Sequence, residues 1–118
     1  MSNELLERIL SERGYVEDFH KVLAEKDPDF LRLYLDMWDS VFKKGNLDKK
    51  TASLVRLAAI SVLQIEVGLD HSMDMAKAAG ASEKEILDVI KIAYLFSGNA
   101  TLIPALTMAK KKLKMANP

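Results

Sequence analysis

Apolar positions recur along this chain at helical spacing, and nowhere do they alternate with the period of two that a half-buried strand requires. Residues 3–13 place Leu5, Leu6, Ile9 and Leu10 on one face, and Gly14 stops the pattern. Residues 16–25 repeat it with Val16, Phe19, Val22 and Leu23. Asp27-Pro28 is a start signal, a capping acid followed by proline at the first helical position. The helix it opens is expected to run to about Lys44, where Gly45-Asn46 ends it. Phe30, Leu33, Tyr34, Met37, Trp38, Val41 and Phe42 are available for burial along it.

The stretch 48–80 organises the remainder. Asp48 caps a helix expected to reach about Val67, and between Leu54 and Ile65 only Arg56, Ser61 and Gln64 interrupt its apolar character. A helix apolar on nearly every side belongs at the centre of a bundle or at a subunit interface. Gly68 is expected to break or kink the chain, with a shorter helix following to about Ala79 and Gly80 in the left-handed position after it. Ser82 and Glu85 have capping-box spacing, and the helix beyond them carries Ile86, Val89, Ile90, Ala93 and Tyr94 as far as Ser97-Gly98. A last helix is expected from near Asn99–Thr101 to about Met115, with Pro104 in its first turn or just past it. The fold class is all-α. No linker or low-complexity segment divides the chain, so a single domain is expected over 1–118, with residues 1–44 as N-terminal helices and 45–118 as the core.

Composition removes whole classes of function. Lysine plus arginine equals aspartate plus glutamate, 17 against 17, so no global field draws the chain to nucleic acid or an anionic membrane. No run of 18 apolar residues is present to span a membrane. The opening MSNELLERIL lacks the order of a signal peptide, and the cytoplasm is the expected location. There is no cysteine, so this chain has no thiolate nucleophile, disulfide exchange or thiolate metal site.

The remaining candidates are polar residues near Gly68. A helix places His71 beside Asp74, and with Glu66 nearby they form either a general acid/base group or a weak metal site. The plainer alternative is a polar helix face, and neither a metal nor a cofactor is assigned. Arg56 is the one charge inside the apolar run. It either pairs with Glu66, Asp70 or a neighbouring subunit, or packs its stem and extends its head to water. His20 reads as surface polarity on its helix. Lys110-Lys111-Lys112-Leu113-Lys114 reads as a complement to the helix dipole, because no aromatics interleave it. The methionines read as fillers of irregular apolar space.

Four segments in succession carry a resemblance: LDKKTASLVRLAAISVL, QIEVGLDHS, AAGASEKEILDVI and IAYLFSGNATLIPAL. Together they resemble the carboxymuconolactone decarboxylase family, which includes the alkylhydroperoxidase D-like proteins. The resemblance implies an orthogonal-type bundle of about six to seven helices assembled into homo-oligomers, commonly trimers or hexamers. In the redox branch a glutamate, a C-x-x-C pair and a histidine act together. Those positions fall here on Ser53, Ile65 with Gly68, and Ser72, so the thiol chemistry is not available. The decarboxylase branch uses acid/base groups around the same hinge, and Glu66 falls where it often has an acid.

Three functional readings follow. One is a non-thiol family member binding a small molecule near Glu66 and His71, with Glu66, His71 and Arg56 as its polar or catalytic contacts. Another is a non-enzymatic homo-oligomeric scaffold, which a charged residue at Leu57 or Ile60 is expected to dissociate. The third is a cofactor-free acid/base decarboxylase.

Overall fold

A computed structural model describes residues 2–115, with side chains from residue 4. Seven helices make up nearly all of it: α1 (Ser2–Arg13), α2 (Asp18–Lys26), α3 (Pro28–Phe42), α4 (Lys49–Leu63), α5 (Glu66–Ala78), α6 (Glu83–Ser97) and α7 (Asn99–Lys112). No strand occurs among the described residues. The chain divides into two compact units, Met1–Gly45 and Asn46–Pro118, and each has its own apolar core.

In the first unit, Leu5, Ile9, Ala24, Leu31 and Leu35 are buried together. Gly14, at φ +80°, ends α1 in a conformation that side chains rarely adopt. Asp27 accepts the Phe30 amide at 3.2 Å, with Pro28 in the first turn of α3. Arg8 ties α1 to α3 through Asp39 at 2.6 Å and Asp36 at 3.2 Å. Only one face of α3 is covered. Phe30, Leu33, Met37 and Val41, expected to be available for burial, lie on the face opposite Leu31 and Leu35 and stay exposed.

In the second unit, Asp48 caps α4 by accepting the Thr51 amide at 2.8 Å. The helix then stops at Leu63, earlier than its apolar run suggests. Gln64 adopts the left-handed conformation (φ 58°, ψ 37°), Ile65 is extended, and α5 begins at Glu66. The hinge is therefore Gln64-Ile65. Gly68 is a helical residue, and its role is close approach. A Cβ built there would lie 2.9 Å from Cγ2 of Ile60 on α4. Gly68→Ala is expected to lower stability by about 1–2 kcal/mol through overpacking, net of the helix propensity alanine gains. The pair Gly68→Ala/Ile60→Ala should show a favourable coupling in urea titrations, because the second change removes the atoms that clash.

The later boundaries follow their local chemistry. Ser82 and Glu85 form the expected capping box at 3.0 and 2.8 Å, and Gly80 is left-handed at φ +94°. Pro104 lies inside α7, in its second turn, and the helix ends at Lys112 rather than near Met115. Lys50, at the start of α4, pairs with Glu85 at the start of α6 at 2.7 Å. Lys77, near the end of α5, donates to the Lys112 carbonyl at the end of α7 at 2.7 Å. The four helices thus alternate in direction, and the hinge shares one end of the unit with the α6–α7 turn. Their core is Leu57, Leu69, Met73, Ala76, Ile86, Ile90, Ala105, Met108 and Ala109.

Candidate functional site

The inward stripe of α4 is Ser53, Leu57 and Ser61, one residue per turn and all buried. Two of these are serines, and each disposes of its hydroxyl locally. Ser53 Oγ donates to the Lys49 carbonyl and Ser61 Oγ to the Leu57 carbonyl, both at 2.7 Å. Ser72, on α5, behaves differently. It is fully buried, and its Oγ has no hydrogen-bond partner among the described residues. Leaving such a group unsatisfied costs on the order of 1–3 kcal/mol.

Arg56 is half-buried on α4, and its guanidinium lies 3.0 Å from Sδ of Met75 on α5. His71 precedes Met75 by four residues and is also half-buried, so it shares the stripe of α5 that Arg56 reaches. Glu66 does not join them. It follows the hinge at the start of α5, exposed, and about 140° around the helix from His71. There its carboxylate complements the helix dipole.

Glu66 instead shares a stripe with Asp70 and Asp74, both of which grip Lys112. The Lys112 ammonium contacts Asp70 and lies 3.0 Å from Asp74. Its hydrogen bond holds the Asp70 carboxyl below the usual carboxylate range, and the same pair raises Lys112. Two acids expected near Arg56 and His71 are therefore engaged by the end of α7. Lys112 does more than complement the dipole; it ties α7 to α5. Among the described residues no group of three or more His, Asp or Glu side chains has the geometry of a metal site.

His20 departs from its expected place, because it is completely buried in the first unit rather than on its surface. The signal was present in the spacing Glu17-x-x-His20. That is a capping box with an imidazole where glutamate or glutamine is usual.

Residues 28–111 match the model of the carboxymuconolactone decarboxylase family. The chain belongs to that family. It is similar to two uncharacterized proteins of Methanocaldococcus jannaschii, MJ0742 and MJ1511. The first is 35% identical over 95 residues, which is 80% of this chain and 88% of the relative. The second is 29% identical over 85 residues, 72% and 79% of the respective chains. The fold is also that of a crystal structure of a "putative carboxymuconolactone decarboxylase" from Burkholderia xenovorans LB400. That likeness has a TM-score of 0.79 at 20% identity, over 94% of this chain and 92% of the other.

Within the family this is a member without cysteine. The positions that the resemblance assigns to the redox pair hold Ile65, in the hinge, and Gly68, packed against Ile60. Those assigned to the glutamate and histidine hold Ser53 and Ser72, both buried.

Proposed function

We propose that this protein is a carboxymuconolactone decarboxylase-like member that works without thiol chemistry and binds a small molecule between α4 and α5. The supporting observation is the Ser72 hydroxyl, fully buried on the inner side of α5 and without a partner among the described residues. Arg56 on α4 and His71 on α5 supply further polar groups on the facing helices, while Glu66 is turned to the Asp70–Asp74 side of α5 and takes no part. A guanidinium, an imidazole and a hydroxyl are all able to donate, so the fitting ligand presents acceptor oxygens, as a carboxylic acid does.

The test combines native mass spectrometry of freshly purified protein with thermal shifts against a panel of small mono- and dicarboxylates. The wild type should carry a reproducible excess mass or gain stability with one member of the panel. Arg56→Gln should weaken that binding about tenfold or more, as loss of a charged hydrogen bond does. Ser72→Ala should weaken it too. A clean subunit mass with no shift across the panel would sink the reading. So would a Ser72→Ala protein that is stabilised and binds unchanged.

A second reading is favoured by a separate observation. Val62, Leu63, Ile65 and Val67 around the hinge, and Ile92, Leu95, Phe96 and Ile103 around the α6–α7 turn, are all exposed at the same end of the second unit. Soluble single chains rarely present so many large apolar side chains together. In this reading the fold serves as a homo-oligomeric scaffold, a trimer or hexamer, joined through that end. The two readings are compatible.

A further inference from the structure

The first unit holds a buried titratable group that the site above does not use. His20 is 0% exposed and is enclosed by all three helices of its unit. From α1, the Arg13 guanidinium nitrogen comes within 3.4 Å of Nε2. Before α2, the Glu17 amide donates to Nδ1 at 3.1 Å. Phe19 lies against the ring with centroids 4.0 Å apart, and Tyr34 of α3 approaches at 6.4 Å. Arg13 in turn sits 4.3 Å over the ring of Trp38, which stacks on Phe42. The charges acting on the imidazole among the described residues are those of Arg13 and Glu17.

Proton counting makes this arrangement specific to the neutral ring. To accept from the Glu17 amide, Nδ1 must be bare, so the neutral ring carries its proton on Nε2. A second proton can only go to Nδ1. It would point at the Glu17 N–H, break the capping box at the start of α2, and set a buried cation against Arg13. The alternative neutral tautomer, with Nε2 accepting from Arg13, already sets an N–H on Nδ1 against the Glu17 amide, and the cation, with both nitrogens protonated, can accept from neither partner.

We propose that His20 is an acid-sensitive latch on the three-helix unit, holding the start of α2 against α1 and α3 while neutral and releasing it when the ring takes a second proton. Burial and the Arg13 guanidinium both push His20 below its ordinary value, which is the direction the latch requires. With the folded-state value depressed, the stabilisation is fully present above the unfolded value of about 6.5 and is lost as pH falls through the folded value. Between the two values the ratio of open to closed unit rises about tenfold per pH unit.

Trp38 is the only tryptophan in the chain and lies in this unit, under Arg13, so it reports the latch directly. The experiment is its emission from pH 7.5 to pH 4.5 in the full chain, as wild type, His20→Asn and His71→Asn. The asparagine of His20→Asn keeps an acceptor for the Glu17 amide but cannot take up the proton. The wild type and His71→Asn should show a one-proton transition below about pH 6.5; His20→Asn should be flat. A flat wild type, or the same transition in His20→Asn, overturns the proposal. Should His20→Asn fail to fold, the titration of the His20 ring in isotope-labelled wild type decides. A ring midpoint that coincides with the Trp38 transition supports the latch. A midpoint at or above the ordinary histidine value, or one with no Trp38 response, refutes it.

Discussion

Replacing Leu95 and Phe96 together by glutamate is expected, on the scaffold reading proposed above, to convert the assembly into a single-chain species, read as a fall in mass by light scattering. The two side chains are the most exposed large apolar groups of the second unit, at 72% and 84%. They extend from the last turn of α6, where neither contributes to the core, so glutamate there leaves the fold intact. At an interface, each would place a charge in a surface that excludes water. Burial of such a side chain contributes roughly 1.5–3 kcal/mol, and an unpaired buried charge reverses it several-fold. Across the symmetry-related contacts of a trimer or hexamer this exceeds what a small interface can absorb. An unchanged mass, with unchanged helical circular dichroism, would remove the scaffold reading and leave the apolar end without an account.

Replacing Leu57 by glutamate is expected to do something different: to unfold the second unit. From the sequence alone, Leu57 and Ile60 look like the residues that would break an assembly. The structure moves Leu57 to the inside, 0% exposed in the core it shares with Leu69, Met73, Ile86 and Ile90. Leu57→Ala should cost about 2–5 kcal/mol by the loss of buried methyl groups and the cavity left behind. Against a total of about 5–15 kcal/mol for an ordinary domain, the glutamate should leave little folded protein. Urea titration followed by circular dichroism measures the first, and loss of helical signal in native buffer the second. A soluble, helical Leu57→Glu protein of reduced mass would restore the interface assignment.

These two outcomes turn on the same unit, and they mark how far the sequence reaches. Helix starts were legible because a start is a local event. Asp27-Pro28, Asp48 and Ser82-x-x-Glu85 each satisfy amides within their own first turn, and each caps the helix expected of it. The all-α class, the family and the absence of thiol chemistry were likewise legible, from periodicity, from the order of segments and from a residue count. The candidate site was legible only as a neighbourhood. Position along the chain put Glu66, His71 and Arg56 together, but helical rotation turns Glu66 toward the Asp70–Asp74 side. Packing of α5 on α4 brings Met75, and with it the stripe of His71, to Arg56.

What the tertiary structure alone decided has one physical cause. A propensity or spacing describes a residue's own turn, whereas burial, charge pairing and close approach depend on whichever helix lies across from it. Gln64 stops α4 although nothing in its side chain announces a left-handed cap. Gly68 is small because Ile60 lies opposite, not because the chain bends there. His20 is buried because α1 and α3 close over it, bringing Arg13 and Tyr34 from positions 7 and 14 residues away in sequence. The sequence by itself determined which segments are helical and which chemistry is absent; the partners of each face were set only when the helices packed.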